Sequence, residues 1–317
     1  MFRKFAKDLY YFGLSAFHAD QARIRSLAQG NNVVVLNLHR VSPIENAFWP
    51  PMHPDVFEEL LIFLRDYFTV CRFDQLLSAS NERPLAVISF DDGYYDFLQH
   101  VLPLLDEFGM QANMNIIPEC AETGMPIWNV RLYDFLNAAP RNLIKEIDLP
   151  GFDFELIDDS RAAKLKFGLK ISSFLKKRPR LEREGLCRSI EHVIAKTAFE
   201  LTRMMNADEI KHISEKTEIG AHSFSHDSMG FENNEFFERD FAKCQEYFLE
   251  KLDIPLSIYA FPNGSYRAEQ IDFLRRSGIE HILLVDEKFA DKRSDVVPRL
   301  TIYGESKNEV RMKALGF

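Results

Sequence analysis

An α/β fold is predicted for this chain, built from repeated βα units around a parallel sheet that is open or closed as a barrel, with a helical insertion. Three observations predict it. Short, nearly continuous apolar runs recur along the 317 residues, as strands buried on both faces of a parallel sheet require. Stretches with helical spacing of apolar residues separate those runs. Between about residues 126 and 215 the alternation stops, and the pattern is helical without a clear strand.

The elements follow in chain order. Residues 1–30 read as an N-terminal helical segment, basic at Arg3, Lys4 and Lys7. Its apolar run from Tyr10 to Phe17 is interrupted by Gly13 and Ser15 and leads to no clear cleavage site, so a surface or short interfacial helix is expected there and not a signal peptide. Val33–Leu38 is a buried strand that ends at His39. Pro54–Phe68 places Val56, Phe57, Leu60, Leu61 and Leu64 at helical spacing. Leu85–Phe90 is the next strand, and Tyr95–Phe108 a helix stopped by Gly109. Further strands are expected at Ala112–Ile117, Glu218–Ala221, Ser257–Phe261 and His281–Val285, with helices over Glu235–Leu252 and Glu269–Ser277. The barrel or sheet thus occupies 31–317, interrupted at about 126–215.

Composition narrows the function. Hydrophobic residues make up 46% and charged residues 27%, which excludes a disordered or collagen-like chain. A formal charge of -9 argues against a nucleic-acid partner. Cys71, Cys120, Cys187 and Cys244 are widely spaced, so buried thiols in a reducing compartment are expected and not a disulfide framework or a thiolate zinc site. No stretch approaches the ~18 apolar residues of a spanning helix. One segment departs from the overall charge: residues 161–190 hold ten Lys or Arg against Glu182 and Glu184. A solvated face is the ordinary explanation of such a run; a contact with phosphate or an anionic membrane surface is the sharper one.

Chemistry is concentrated at predicted strand ends, where parallel α/β folds bind ligands. Phe90-Asp91-Asp92-Gly93 puts two carboxylates after a buried strand, a crowding that a cation or a proton must balance. An Asp-Gly turn with a helix cap would account for the same residues. His222 and His226 stand four residues apart and can meet one metal ion if their segment is a helical turn. Together with one carboxylate they make a recurrent divalent-metal set. Tyr259-Ala260-Phe261-Pro262-Asn263-Gly264 forms a tight loop at another strand end, and His39 ends the first strand as a structural histidine or an acid.

In this order the pieces resemble the polysaccharide deacetylase family, the NodB-homology group of carbohydrate esterase family 4. Its T-F-D-D motif is matched by Ser89-Phe90-Asp91-Asp92, its H-[ST]-x-x-H by His222, Ser223 and His226, and its R-x-P-[YF]-G by Ala260-Phe261-Pro262-Asn263-Gly264. The opening segment, ending Leu38-His39-Arg40-Val41, resembles the circularly permuted subgroup that includes the poly-N-acetylglucosamine deacetylases. The likeness covers roughly residues 33–120 and 216–303. It implies a distorted (β/α) barrel and metal-assisted hydrolysis of an N-acetyl group on an amino sugar of a glycan, glycolipid or lipid-linked saccharide, as in polysaccharide biosynthesis.

Carried over by motif, Asp91 is the general base, and Asp92, His222 and His226 hold a divalent metal. Zn2+ leads, with Co2+, Ni2+ or Fe2+ as alternatives. The family's late histidine acid has no match, and in the permuted subgroup that role falls to the first-strand histidine, here His39. Pro262, Asn263, Gly264, Gly93 and Tyr94 are the expected substrate contacts, with a backbone N–H near Gly93 or Tyr94 for the oxyanion. Two departures stand out. Ala260 replaces the third motif's arginine, for which Arg299 and Arg40 are the possible substitutes, and the family's Asp-Trp motif is unrecognisable around Trp49 or Trp128. The alternatives are hydrolysis of another C–N bond, such as a formyl group or cyclic amide, and a non-catalytic glycan-binding relative. A cytoplasmic location is expected, with peripheral contact at the inner membrane face through the basic segment.

Overall fold

A computed structural model describes residues 10, 11, 13, 19–44, 48, 50–80 and 82–317. Of the N-terminal segment, Ala19–Ala28 is a helix; Arg3, Lys4, Lys7 and most of Tyr10–Phe17 lie outside the described residues, as does Trp49. Ten strands follow: β1 (Asn32–Leu38), β2 (Thr69–Val70), β3 (Leu85–Asp92), β4 (Asn113–Ile116), β5 (Glu218–Ala221), β6 (Ile258–Ala260), β7 (His281–Leu284), β8 (Ala290–Asp291), β9 (Val296–Pro298) and β10 (Leu300–Thr301). They lie in the order β10-β1-β3-β4-β5-β6-β7-β9, with β2 beside β3 and β8 beside β1. Only β8 runs antiparallel to its neighbour.

The two ends of this order are one piece of chain. Val297 in β9 is level with Leu283 in β7, and Leu300 in β10 with Leu36 in β1. A single segment, Val296–Thr301, therefore pairs with both edges and brings the sheet close to a closed barrel. Arg299 sits at that seam, fully buried. β2 and β8–β10 are too short, at two or three residues each, to show a period in the sequence.

Strand periodicity divides the core. Inward-facing Val33, Val35, Leu85, Val87, Ile258, Ala260, Leu283 and Val297 share one apolar cluster inside the barrel. Outward-facing Val34, Leu36, Ile88, Phe90, Met114, Ile116, Tyr259 and Ile282 belong to the larger cluster shared with the surrounding helices. Among those helices, Pro54–Tyr67 starts with proline in its first turn and buries Phe57, Leu60, Leu61 and Leu64. The one over Leu102–Phe108 ends on Gly109 at φ 61°, a left-handed cap suited to glycine.

Higher in the barrel the inward positions turn polar. Ser89 donates to Asn113 Oδ1 at 2.7 Å, and Asn113 to Asn115 Oδ1 at 3.1 Å. Gly220, next to them, has no room for a side chain, because an added Cβ would meet Asn115 Oδ1 at 2.3 Å and Ile258 Cγ2 at 2.9 Å. Gly220→Ala is expected to destabilise the protein by about 1–3 kcal/mol, the usual cost of overpacking. A thermal melt checks this, and an unchanged midpoint would contradict the packing described.

Between β4 and β5 come helices Pro118–Thr123, Trp128–Ala138, Arg141–Ile144, Arg161–Leu175, Arg180–Ile194 and Ala207–Ser214. Phe135, Leu136, Ile144, Phe167, Ile171, Leu175, Ile190 and Val193 give the helices of 128–194 a core of their own. Among the described residues no helix is long and apolar enough to cross a membrane.

Candidate metal centre and active site

The carboxyl ends of the parallel strands converge on a cavity of about 260 Å³. Asn37 lines it from β1 and His39 from just past its end, Asp91 and Asp92 from β3, and His222 and His226 from the loop after β5. Ile127, Tyr133 and Lys176, from the helical segment after β4, cover it. Of the residues expected to contact substrate, Tyr94 and Asn263 also line this cavity. Gly93, Pro262 and Gly264 instead shape the turns beside it, Gly93 at φ 81° and Gly264 at φ 61°.

The two adjacent carboxylates occupy opposite environments. Asp91 accepts from Arg299 Nη1 at 2.8 Å on Oδ1 and from Nη2 at 2.7 Å on Oδ2, a bidentate pair in the buried interior. Asn115 Nδ2 adds a third donor to Oδ1 at 2.8 Å. Burial pushes the Asp91 carboxyl up, but Arg299, His222 and His39 outweigh it and hold Asp91 well below the usual carboxylate range. Asp92 has no such guanidinium. Burial, with repulsion from Asp91, pushes it up to about 6. Its Oδ1 is buried and accepts no hydrogen bond.

That unpartnered oxygen faces the two histidines, 3.6 Å from His222 Nε2 and 3.4 Å from His226 Nε2. One ligand atom from each of Asp92, His222 and His226 lies within 4.8 Å of the others. His222 Nδ1 is 2.9 Å from the carbonyl oxygen of Ala260. A carbonyl only accepts, so Nδ1 carries the proton and Nε2 presents its lone pair to the site. Burial lowers the pKa of both rings and favours the neutral, ligating form. An orphaned carboxylate oxygen, a fixed tautomer and two neutral imidazoles fit a divalent cation. The same burial lowers the pKa of His39, against the pull of Asp92 and Asp91.

The histidine pair comes together without the helical turn that was the condition stated for its spacing. The segment is a loop with Ser223 at φ 56° and His226 at φ 58°. Asp92, at φ 80°, and Asn263, at φ 57°, are also left-handed. Among the described residues, four of the six non-glycine residues with positive φ therefore shape this one site. Such backbone costs on the order of 1–3 kcal/mol per residue and persists only where surrounding contacts impose it. Those contacts are visible: Phe224 N donates to Asp240 Oδ1 at 2.8 Å, and Ser225 Oγ to Asp227 Oδ2 at 2.6 Å and to Asp240 Oδ2 at 2.9 Å. Asp227, fully buried, also meets Arg183 Nη1 at 2.5 Å and Arg180 Nη1 at 3.5 Å.

Those arginines belong to the basic run, which is therefore not simply a solvated face. Arg180 also pairs with Glu119 and Glu184, Arg178 with Glu182, and Lys164 with Asp159. Lys176 leaves the run to enter the cavity, donating to Asn263 Oδ1 at 2.7 Å. Its place beside the reacting groups is invisible in a charge count, since one lysine among ten basic residues carries no distinguishing pattern. Of the two arginines considered as substitutes at Ala260, Arg299 reaches Asp91, whereas Arg40 pairs with Asp96 at 2.7 Å and lies over the Tyr94 ring.

The polysaccharide deacetylase family model matches residues 189–282, a span that holds both histidines and the Ala260–Gly264 turn but not Asp91 or Asp92. No curated protein matches the chain in sequence. Among solved structures, Streptococcus pyogenes deacetylase PplD in complex with acetate is similar at TM-score 0.58 and 14% identity, covering 89% of this chain and 97% of that one. IcaB from Ammonifex degensii gives 0.55 and 15%, covering 90% and 98%. A de-N-acetylase from Aggregatibacter actinomycetemcomitans gives 0.51 and 16%, covering 86% and 95%. This chain resembles the polysaccharide deacetylase family in its sequence over that span and has the distorted (β/α) barrel fold of such deacetylases over most of its length.

Proposed function

We propose that the protein is a metal-dependent carbohydrate N-deacetylase, acting on an N-acetylated amino sugar of a glycan, glycolipid or lipid-linked saccharide. The observation that carries this is the orphaned Asp92 Oδ1 facing two Nε2 atoms, beside a second aspartate held ionised by a buried arginine. A divalent cation held by Asp92, His222 and His226, with zinc the best match to that donor set, supplies a Lewis acid for the amide carbonyl and lowers the pKa of a water from ~15.7 toward ~7.

The chain's own groups do the rest. Asp91, ionised and aimed by Arg299, takes the proton of the attacking water. Its Oδ2 faces the site, 3.9 Å from His222 Nε2. His39, in the same cavity, passes a proton to the leaving amine; since burial favours its neutral form, that proton is one it takes up during the reaction. Tyr94 and Asn263 orient the sugar, and the helical cover over the cavity restricts water. Weight against the non-catalytic reading comes from Arg299: the missing arginine of the third motif is the main sequence feature favouring that reading, and Arg299 brings a guanidinium to Asp91. Free Cys71, Cys120, Cys187 and Cys244 support a reducing, cytoplasmic setting. Exposed Lys166, Lys170, Lys177 and Arg188 are the part of the basic segment left to meet an anionic membrane surface.

Elemental analysis tests the centre directly. About one zinc per chain is expected after dialysis against trace zinc, and none in Asp92→Ala or in His222→Ala/His226→Ala. Acetate release from N-acetylated oligosaccharides by the zinc-loaded protein, lost in Asp91→Asn, would then establish the reaction. Zinc retained in both variants would remove the ligand assignment.

A further inference from the structure

The balance of charge around the cavity bears on which saccharide it accepts. Four charged side chains line or support it: Asp91 and Asp92, against Arg299 and Lys176. These two carboxylates and two cations balance, and a divalent cation on Asp92, His222 and His226 would add two positive charges. Arg299 is committed to Asp91. Lys176 is not committed to a carboxylate; its hydrogen bond goes to the neutral amide of Asn263, at 2.7 Å.

The position of that ammonium is built. Lys176 caps the helix Arg161–Leu175. Asn263, which receives it, is held in turn by a hydrogen bond from its Nδ2 to Ser228 Oγ at 3.1 Å. The ammonium thus spans from the helical cover to the β6 loop, at the wall of the reacting cavity. Asp92 is the carboxylate whose charge reaches Lys176, without a direct ion pair, and it is the one that would be taken up by a bound cation. A half-buried lysine at a cavity wall in that situation attracts an anion and binds phosphate or carboxylate as a point charge.

We propose that Lys176 makes this cavity selective for an N-acetylated saccharide that carries a negative charge, phosphate or carboxylate, next to the reacting amide. The proposal rests on the deacetylase reading above and narrows its substrate class. Lys176 acts here as a specificity-determining residue. It takes no part in proton transfer, and exchanges Asn263 for the anionic group when substrate binds.

Calorimetric titration of the zinc-loaded full-length chain tests it with three probes: N-acetylglucosamine, N-acetylglucosamine 1-phosphate and N-acetylmuramic acid. At least one charged sugar is expected to bind about tenfold or more tightly than the neutral one, and which of the two does so separates phosphate from carboxylate recognition. In Lys176→Met that preference falls to within about twofold, while zinc content and melting temperature are unchanged. Lys176→Arg keeps it in part. Equal affinities in the wild type, no binding of any probe, or a preference that survives in Lys176→Met would each overturn the proposal; the last would mean that the anion is held by the zinc alone. Failure of zinc to load would instead overturn the deacetylase reading and this proposal with it, so the two failures are distinguishable.

Discussion

Arg299→Met is expected to destabilise the protein by about 3–5 kcal/mol and to abolish turnover. The side chain is fully buried, and so is Asp91, its partner at 2.7 and 2.8 Å. Removing one member of a buried pair leaves the other as an uncompensated charge, which is the costly case. Adding Asp91→Asn should recover most of that stability, since the orphaned charge goes with it, but none of the activity. A double-mutant cycle by denaturant unfolding measures the coupling, and simple additivity of the two single effects would contradict it. The pair also sets an acid limit. Asp91 has its folded-state pKa depressed, so its contribution to stability is present above the ordinary carboxylate pKa and is lost as pH falls below about 4. The double variant should lose part of that acid sensitivity.

Arg183→Met is expected to lower metal affinity by roughly 10–100-fold, the range typical when a group orienting a ligand is lost. Arg183 touches neither histidine. It holds Asp227, fully buried and next to His226 in sequence, at 2.5 Å, and Asp227 in turn accepts from Ser225 Oγ. Without that guanidinium, the left-handed turn at His226 loses one of the contacts that impose it. Competition against a chromogenic chelator reads the affinity. Asp227→Asn in the Arg183→Met background should restore stability more than metal affinity, because it removes the stranded charge without re-anchoring the loop. Unchanged affinity in Arg183→Met would show that the loop holds its shape without Arg183, on its contacts with Arg180 and Asp240.

The contrast between Arg299 and Ala260 shows where sequence reading stops. Ala260 is the motif position, but its side chain belongs to the apolar barrel interior, and its backbone carbonyl is what meets His222 Nδ1. The guanidinium that a local motif would place there comes from residue 299, across the closing seam of the barrel. Nothing within a few residues of either position announces that exchange. Lys176 is a similar case: its sequence neighbours mark it as part of a basic run, and only the packing of the helical cover brings it to Asn263.

By itself, the sequence determined the α/β class, the places of β1 and β3–β7, and the Asp-Asp and His-x-x-x-His sets, because buried strands and closely spaced carboxylates and imidazoles are local patterns of period and residue type. Tertiary structure alone decided the rest. It closed the sheet through a segment whose strands are too short to show a period. It brought the histidines together on a loop in left-handed backbone and not on a helical turn, and it divided the two aspartates into one held ionised and one with an unpartnered Oδ1. These outcomes depend on which distant groups share a buried space, where the dielectric is low and every charge or polar atom must find its partner across the fold.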